Sequence, residues 1–362
     1  MKKKICMLIY DLRIGGAENM ICQISNGLSN DFDITILTLS NVNKYKDTLN
    51  SNIKYKNLNI LKISKAIFKL YQFLKKNEFD IIVSNVWPIT IISSIISIFI
   101  KKTKLILVEH SVLVDQFYLN SNFATKFLKY ISVFIFYNLS DRIIAVSNVA
   151  KLSLIKIGVR KSKISVIHNF VNINLKPKKG NFYSKFGYNN KILKLLNIGI
   201  FKEIKNQIFL IEVANILLKK YKIDFILFIV GNGPLENKLQ NKINFYKLNN
   251  HVKIINSNNY VTDTINECDI FLSSSKSESF GLSILEALCC NKKVVVSDIE
   301  ISKELIDKKH YEFICELNSD LFAKKIIYLS SKKMKDLDEF YKNKFDMFDA
   351  IKNYKKEIYK IL

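Results

Sequence analysis

Short runs of aliphatic and β-branched residues alternate along the chain with longer stretches whose apolar residues recur at helical spacing. The first run, KICMLIY (4–10), predicts a buried strand, and apolar residues from Met20 to Leu28 then follow the period of a helix. Strands joined by helices in this way form parallel sheets covered by helices. The pattern therefore predicts an α/β fold.

Two series of such strands lie on either side of a polar segment that carries Pro177, Gly180 and Gly187. Proline and glycine in a polar stretch are typical of a connection, so we predict a linker over 173–190. The predicted strands are 4–10, 33–39, 80–85, 104–110, 142–147 and 164–169 before the linker, and 193–199, 224–231, 251–256, 269–274 and 292–298 after it.

This division predicts two Rossmann-like domains, at 1–172 and 191–344, followed by an amphipathic stretch at 345–362. In doubly wound sheets, ligands bind beyond the carboxyl ends of the strands. We therefore expect two facing domains with the active site in the cleft between them.

Two apolar stretches are long enough to raise the question of a membrane span. Asn85 and Pro88 divide the first, 81–100, into a strand and a helix too short to cross a bilayer. The second, 123–139, is rich in aromatic residues and carries Lys126 and Lys129. It predicts either a core helix or a helix that lies on a lipid surface.

The chain has 56 basic and 32 acidic residues and a net charge of +24. An excess of lysine reflects either coding bias or attraction to an anionic surface. Because no nucleic-acid-binding motif is visible, an anionic membrane is the favoured partner and nucleic acid is not expected. The six cysteines form no C-x-x-C pair and no signal peptide is evident, which predicts reduced thiols in a cytoplasmic protein.

Candidate chemistry lies in KSESFG (276–281), which links a predicted strand to a predicted helix. Free N–H groups at a helix start bind anions, and Gly281 would let a ligand approach the backbone. Glu278 and Glu286 could accept hydrogen bonds from sugar or ribose hydroxyls. The alternative is that Glu278 is an ordinary surface residue and Glu286 an ordinary glutamate of the first helical turn.

The segment from Glu278 to Glu286 resembles the E-x7-E signature of the retaining glycosyltransferases of family 4. Other segments resemble the motifs of that family in the same order: GGAEN (15–19), VEHS (108–111), IIAVSNVAK (143–151), SVIHNFVN (165–172), LLNIGIFKEIKN (195–206) and FIVGNGPLENKL (228–239). The resemblance implies the GT-B fold, with acceptor bound by the first domain, nucleotide-sugar donor by the second, and a last helix crossing back to the first domain.

The resemblance also implies roles for individual residues. His110 would lie near the reacting sugar, Lys205 would neutralise the diphosphate, Glu278 would hold sugar hydroxyls and Glu286 the ribose. Backbone approach to donor or acceptor would use Gly15, Gly16, Gly199, Gly231, Gly233, Phe280, Gly281 and Leu282. His110 could instead be a structural histidine, and Lys205 one lysine among many.

Departures from the family pattern include three substituted positions and the lack of a common glycine in 298–305. Ile200 stands where the family has an arginine, with Lys202 two residues on; Ser279 replaces a glycine; and Asn291 replaces a turn glycine, which is tolerable because asparagine adopts positive φ more easily than most residues. The first two changes support a rival interpretation, a non-catalytic subunit that binds sugar nucleotides or glycans beside an active glycosyltransferase.

The favoured interpretation is a cytoplasmic enzyme on the inner face of the cell membrane. It would move a hexose or N-acetylhexosamine from a UDP- or GDP-sugar to a lipid-linked acceptor of a surface polysaccharide, such as capsule or O-antigen. Since fixed N–H dipoles and a lysine can stabilise the leaving diphosphate, neither a metal nor another cofactor is expected.

Overall fold

The computed structural model describes residues 2–60, 66–119, 122–171, 182–188, 192–256, 261–334 and 336–362. The chain divides into two compact units. The first comprises Met1–Phe170 together with Met347–Leu362, and the second comprises Val171–Asp346. Each unit is built around its own parallel β-sheet, which confirms the predicted pair of α/β domains.

The sheet of the first unit contains seven strands among the described residues, in the order β3-β2-β1-β4-β5-β6-β7. All neighbouring strands are parallel. The strands are β1 (Lys4–Ile9), β2 (Asp33–Thr38), β3 (Lys54–Asn57), β4 (Ile81–Asn85), β5 (Lys104–Glu109), β6 (Arg142–Ala145) and β7 (Ile164–Val166). The helices are α1 (Gly16–Leu28), α2 (Ala66–Asn77), α3 (Ile89–Ser97), α4 (Leu113–Leu119), α5 (Phe123–Tyr137) and α6 (Asn148–Ile157).

The second unit repeats this plan with six strands among its described residues, in the order β10-β9-β8-β11-β12-β13. Its strands are β8 (Leu193–Ile198), β9 (Phe225–Val230), β10 (Val252–Ile255), β11 (Ile270–Ser273), β12 (Lys293–Ser297) and β13 (Ile314–Cys315). Its helices are α7 (Phe182–Lys185), α8 (Gln207–Lys219), α9 (Glu236–Phe245), α10 (Val261–Glu267), α11 (Leu282–Cys289), α12 (Glu300–Leu305), α13 (Ser319–Ser331) and α14 (Leu337–Lys344).

Two edge strands are absent from the sequence prediction. β3 has the sequence KYKN and buries none of its side chains fully, so it gives no run of apolar residues. β13 contains only Ile314 and Cys315. Each lies at the edge of its sheet. The apolar runs identify the central strands of both sheets.

The predicted linker, 173–190, lies largely outside the described residues. Its described part, 182–188, includes α7 and belongs to the second unit. Phe182 and Tyr183 are buried there, and their rings lie 5.1 and 4.9 Å from the ring of Phe228 in β9. This part of the predicted linker is therefore a small piece of the second core, where aromatic rings cover one side of the sheet.

The apolar stretch 123–139 is not a core helix. Of the residues in α5, only Val133 and Tyr137 are buried, whereas Phe127 is 58% exposed and Leu128 65% exposed. The stretch 81–100 divides into β4 and α3, in agreement with the prediction. Among the described residues, none of the helices is both long and apolar enough to span a lipid bilayer.

The last helix, α15 (Met347–Tyr359), packs on α1 of the first unit. Lys355 Nζ lies 2.6 Å from Asp31 Oδ2, and the ring of Tyr359 lies 5.6 Å from that of Phe32. Ile351 fills the space beside Gly27, where a Cβ atom would lie 2.6 Å from its Cδ1 atom. The end of the chain thus packs within the first unit.

The cysteines are free thiols, and all except Cys290 are buried. Burial raises the pKa of Cys22 and Cys268 to about 12. These thiols stay protonated at neutral pH and act as small apolar side chains, which agrees with the absence of a disulfide pattern in the sequence.

The loops that follow β8 and β9 pack directly on each other. The Gly199 N–H donates to Val230 O at 3.0 Å, and the Phe201 N–H donates to Asn232 O at 2.8 Å. A Cβ atom at Gly231 would overlap the carbonyl oxygen of Gly199. Glycine at 231 is therefore required by the close approach of two backbones.

We expect Gly231→Ala to lower the free energy of unfolding by about 3 kcal/mol, because the added methyl group meets backbone that cannot move aside. Gly199→Ala is the matched control, since its Cβ atom would lie 3.6 Å from the nearest atom, a side-chain nitrogen. Urea denaturation followed by circular dichroism measures both variants. Equal stability of the two would contradict this account of the paired loops.

Candidate active site

The sheet of the second unit has its switch point between β8 and β11, where the chain order of the strands reverses. Side chains beyond the carboxyl ends of these two strands converge, because parallel strands end at the same edge of the sheet. The segment after β8 carries Lys205, and the segment after β11 carries Glu278. The sequence-predicted cation and carboxylate thus come from opposite sides of the switch point.

These two side chains form an ion pair. Lys205 Nζ lies 2.5 Å from Glu278 Oε1, with 28% of the lysine side chain and 10% of the glutamate side chain exposed. The same carboxylate oxygen accepts a hydrogen bond of 2.8 Å from Ser275 Oγ. A charge-assisted bond that is largely shielded from water fixes both groups more firmly than a surface pair would.

The backbone of the lysine loop is also held to the end of β11. The Lys276 N–H donates to Ile204 O at 2.8 Å, and Ser274 Oγ donates to Asn206 O at 2.9 Å. Asn206 adopts a left-handed conformation with φ of 53°, which ends the short 3-10 turn Glu203–Lys205 and starts α8. The position of the ammonium group therefore depends on serines that follow β11.

Three residues after Glu278, Gly281 begins α11. Its φ of 85° lies in the left-handed region, which glycine adopts without the steric cost that a side chain brings. The side chain of Phe280 is buried, and its ring lies 5.5 Å from that of Phe345. The first N–H groups of a helix have no acceptor within it, so the backbone at Leu282 presents donors that suit an anion.

Glu286 lies within α11 and is half-buried. Burial raises the pKa of its carboxyl group to about 7. Hydrogen bonds from hydroxyl groups stabilise a carboxylate most where water is partly excluded. This position therefore suits the cis-diol of a ribose. The residue is thus a candidate ligand whose charge responds to pH near neutrality.

The remaining predicted glycines of this unit lie after β8 and β9. Gly199 follows β8, and Gly231 and Gly233 follow β9. A Cβ atom at Gly233 would lie 2.7 Å from both the nitrogen and the oxygen of Phe201. Gly231 and Gly233 thus have a packing role that the sequence analysis did not anticipate, beside the predicted role at the border of a nucleotide pocket.

The sheet of the first unit has its own switch point, between β1 and β4. Asn85, the last residue of β4, is buried and donates from Nδ2 to Leu8 O of β1 at 3.2 Å and to Val83 O at 3.1 Å. Its Oδ1 atom lies 3.2 Å from Nε2 of His110, which follows β5. The asparagine therefore connects three neighbouring strand ends, a role that the sequence analysis missed.

These contacts determine the proton position on His110. Since both Nδ2 hydrogens of Asn85 are donated elsewhere, its Oδ1 atom must accept, and the imidazole proton resides on Nε2. His110 Nδ1 is buried and has no hydrogen-bond partner within the described residues, which disfavours a second proton there. Burial lowers the pKa of His110 to about 4. The ring is thus neutral at physiological pH.

Gly15 and Gly16 begin α1 beyond the end of β1. The Tyr45 hydroxyl donates to Gly15 O at 3.1 Å, and the Glu18 carboxylate occupies the space that a Cβ atom of Gly15 would need. Burial raises the pKa of that carboxyl group. A carboxylate at this helix start competes with a phosphate and favours a ligand that offers hydroxyl donors.

The described residues contain no group of three or more His, Cys, Asp or Glu side chains placed to hold a metal ion. Two Asp-x-Asp strings occur, at 31–33 and 336–338. Asp31 pairs with Lys355, Asp33 pairs with Lys54 at 2.8 Å and Asp338 pairs with Lys342 at 2.8 Å. The carboxylates of Asp31, Asp33 and Asp338 thus form ion pairs.

Two family models match consecutive parts of the chain. Residues 14–175 match the model described as Glycosyltransferase Family 4, and residues 181–347 match the model described as Glycosyl transferases group 1. The chain belongs to glycosyltransferase family 4. Its two parallel-sheet units are the GT-B architecture of these enzymes.

Two curated relatives are similar to the chain over most of their length. An Escherichia coli protein named UDP-Gal:α-D-GlcNAc-diphosphoundecaprenol α-1,3-galactosyltransferase is 26% identical over 327 residues, which cover 87% of this chain and 80% of that protein. The O-antigen biosynthesis glycosyltransferase WclY of E. coli is 26% identical, with 91% of each chain covered. The crystal structure of Anabaena HepE in complex with UDP and glucose superposes with a TM-score of 0.81 at 19% identity, covering 99% of this chain and 100% of that one.

Within this family 4 chain, the position expected to hold an arginine carries Ile200, whose side chain is 45% exposed. Lys202 is also exposed. The turn residue Asn291 has φ of 58°, and its Oδ1 atom accepts from the Leu337 N–H at 3.2 Å. The prediction that asparagine supplies the positive φ of a turn glycine is confirmed. Because the arginine is missing, Lys205 is the predicted cation that pairs with Glu278.

Replacing Asn85 by aspartate should raise the pKa of His110 above its value of about 4, because a carboxylate facing Nε2 stabilises the imidazolium ion. NMR titration of the histidine ring protons measures this shift, with His110→Gln used to assign the signals. The same spectra report which ring nitrogen carries the proton. A His110 that titrates near 6.5 in the unmodified protein would contradict the assigned neutral state.

Proposed function

We propose that the protein is a retaining, metal-independent glycosyltransferase that uses a UDP- or GDP-sugar as donor. It transfers a hexose or N-acetylhexosamine to a hydroxyl group of a lipid-linked glycan. The observation that carries the proposal is the Lys205–Glu278 pair beside the helix start at Gly281. It places a cation, a hydroxyl acceptor and backbone donors at one strand edge.

The charges at this edge match those that develop during transfer. When the bond between the anomeric carbon and the diphosphate oxygen breaks, the sugar ring gains positive charge and the diphosphate gains negative charge. Lys205 and the N–H groups that begin α11 would stabilise the leaving diphosphate, while Glu278 would hold sugar hydroxyls. Groups that are fixed before reaction stabilise such charge without reorganisation.

For retention, we propose direct displacement on the front face of the sugar. The acceptor hydroxyl attacks the anomeric carbon from the side on which the diphosphate leaves, and its proton passes to the departing phosphate oxygen. His110 would bind donor hydroxyls as a neutral ring, since its pKa of about 4 leaves Nδ1 without a proton at neutral pH, while Nε2–H faces Asn85 Oδ1. The loop at Gly15 and Gly16, with the Glu18 carboxylate, would contact hydroxyls of the acceptor.

The relatives support the choice of substrates. The name of the E. coli galactosyltransferase specifies a UDP-sugar donor and a diphosphoundecaprenol-linked acceptor, and the HepE crystals contain UDP and glucose. By analogy, we propose a UDP-sugar as the first donor to test and a lipid-linked acceptor of capsule or O-antigen type. Such an acceptor would place the enzyme in the cytoplasm, on the inner face of the membrane.

Removal of either member of the ion pair should slow transfer. We expect Lys205→Ala and Glu278→Ala to reduce turnover about a hundredfold or more, because each removes a fixed group that acts on the reacting sugar or the leaving diphosphate. Nucleotide release from UDP- and GDP-sugars, with and without membrane extract, measures turnover. The chelator EDTA should leave the rate unchanged.

The matched controls are Lys238→Ala and Glu203→Ala. These residues form an ion pair of 3.0 Å near the same loop, with both side chains more than half exposed, so we expect turnover to be unaffected. Tight nucleotide binding without turnover in the unmodified protein would identify the non-catalytic subunit instead, for which the exposed Ile200 is the structural argument. Equal activity of all four variants would refute the assigned site.

Binding of the donor nucleotide should depend on the ionisation of Glu286. Because the pKa of Glu286 is about 7, the fraction of free protein able to accept from ribose hydroxyls falls about tenfold between pH 8 and pH 6. We expect the affinity for UDP-glucose, whose phosphates keep a constant charge in this range, to fall correspondingly. Calorimetry measures this, and Glu286→Gln should bind more weakly at pH 8 and show a flat profile. A wild-type profile as flat as that of the variant would contradict the ribose assignment.

A further inference from the structure

The strand that precedes His110 ends in a carboxyl group that is fully buried. Glu109 is the last residue of β5. Its Oε1 atom accepts from the Ser111 N–H at 2.9 Å, so the side chain closes a turn around the backbone of His110. Its Oε2 atom accepts from the Tyr137 hydroxyl of α5 at 2.6 Å. The two carboxylate oxygens therefore connect the segment that carries His110 to a helix.

The hydrogen bonds continue from Tyr137 into α3. Thr90 Oγ1 lies 2.8 Å from the Tyr137 hydroxyl oxygen, and both residues are buried. A tyrosine hydroxyl has a single hydrogen, which here goes to Glu109, so Thr90 is the donor in this contact. Burial and the negative charge of Glu109 raise the pKa of Tyr137 well above its ordinary value, so the hydroxyl keeps its hydrogen. Thr90, Tyr137, Glu109 and the Ser111 N–H thus form one buried chain of hydrogen bonds.

A carboxyl group at this position costs the fold free energy. Burial raises the pKa of Glu109 to about 7, although bonds from Tyr137 and Ser111 both favour the ionised form. Well-packed apolar residues often stabilise a core as well as buried charged groups do. What an apolar side chain cannot supply is a pair of acceptors in fixed directions. The geometry of the neighbouring segment therefore explains a glutamate here better than stability does.

The contact between Asn85 and His110 does not fix the imidazole ring alone. At 3.2 Å it lies at the long end of the normal range, and a ring can turn about a single such bond. The turn closed by Glu109 sets the backbone from which the ring projects. The two contacts leave His110 Nδ1 without a hydrogen-bond partner among the described residues. That nitrogen is the ring acceptor that remains for a substrate hydroxyl.

We propose that Glu109 is a positioning residue for His110, held in place by Tyr137 and Thr90. The carboxylate fixes the segment 109–111 so that the neutral ring directs Nδ1 at a hydroxyl group of the donor sugar. Sites of this kind tolerate errors of only about 0.5 Å, which is why a supporting set of bonds matters. The proposal rests on the proposed function for the identity of the ligand, whereas the orientation of the ring is a property of the protein without ligand.

The variant Tyr137→Phe tests the proposal, because it removes one donor to Glu109 and keeps the buried aromatic ring. Long-range proton–nitrogen NMR spectra of the full chain report both ring nitrogens of His110, with His110→Gln used to assign the signals. We expect a single tautomer with the proton on Nε2 in the unmodified protein. In Tyr137→Phe, both nitrogen shifts should move toward those of a ring that exchanges between tautomers.

The matched control is Tyr55→Phe. The hydroxyl oxygens of Tyr55 and Thr38 lie 2.9 Å apart in the same sheet, on β3 and β2 at the edge farther from β5. The control therefore removes the same group from a second threonine–tyrosine pair and should leave the His110 signals unchanged. Thermal melting checks that each variant is folded.

A conservative substitution should restore the orientation. In Glu109→Gln, the amide oxygen can still accept from the Ser111 N–H and the amide nitrogen can donate to the Tyr137 oxygen. We expect this variant to keep the single His110 tautomer, whereas Glu109→Ala loses it. Since the two substitutions leave the rest of the buried chain in place, the comparison isolates the bonds that the carboxyl group makes.

Donor binding gives a second measurement. We expect Tyr137→Phe to weaken UDP-glucose about fivefold, the equivalent of one ordinary hydrogen bond, and to leave the affinity for UDP unchanged, because only the sugar would reach His110. In a His110→Gln background the same substitution should change the affinity for UDP-glucose less than twofold. A tyrosine that only stabilises the core would change neither ligand selectively.

Several results would overturn the proposal. These are a His110 that already exchanges between tautomers in the unmodified protein, His110 signals that ignore Tyr137→Phe, an equal change in Tyr55→Phe, or a loss of UDP-glucose affinity that is as large without His110 as with it. A lower melting temperature of Tyr137→Phe with unchanged His110 signals would assign the buried chain to stability alone.

The NMR spectra separate this proposal from the proposed function. If the His110 tautomer depends on Tyr137 and Glu109 while no sugar nucleotide is ever bound or turned over, the positioning role stands and the proposed function fails. If sugar is transferred and the His110 signals ignore both residues, the proposed function stands and the positioning role fails.

Discussion

The ion pair between Lys205 and Glu278 joins the two halves of the second sheet at the point where they diverge. A lysine from one half and a glutamate from the other meet at 2.5 Å, and serines after β11 hold the lysine loop in place. Removing two charges from water costs free energy. A pair that is mostly shielded from water stabilises the fold only when its geometry is good enough for the attraction to offset that cost. Here the carboxylate gains a further bond from Ser275.

In the first unit, a neutral residue connects the strand ends at the switch point. Asn85 bonds to β1 through its amide nitrogen and faces His110 through its oxygen, so three strand ends are fixed without a buried charge. Both units therefore place a polar side chain where a parallel sheet reverses its order. The second unit uses a charged pair, whereas the first keeps the uncharged ring of His110 beside the amide of Asn85.

The apolar runs were sufficient to predict the central strands, because parallel strands buried on both faces have nearly continuous hydrophobic sequence. They failed for β3, where KYKN at the sheet edge is polar, and for the two-residue β13. For 123–139, the sequence fits a core helix or a helix on a lipid surface, and the exposure of Phe127 and its neighbours excludes the core helix.

In the candidate site, the glutamates and glycines could be proposed from the sequence because they lie in segments that resemble the family motifs. Asn85 and Ser275 could not be proposed from the sequence. Asn85 bonds to Leu8, which is distant in the chain, and the bond of Ser275 to Glu278 depends on the direction of both side chains. Nor could spacing show that Glu18 fills the space beside Gly15. Such features depend on side-chain direction, which the order of residues leaves undetermined.

The contact between the loops after β8 and β9 has a consequence for how family members of this kind diverge. Phe201 lies against Gly231 and Gly233, and its backbone bonds to Asn232 and Leu235. A larger residue at either glycine would need a simultaneous change in the opposite loop. Recombination between relatives would therefore preserve this contact between the loops only when both loops come from the same parent.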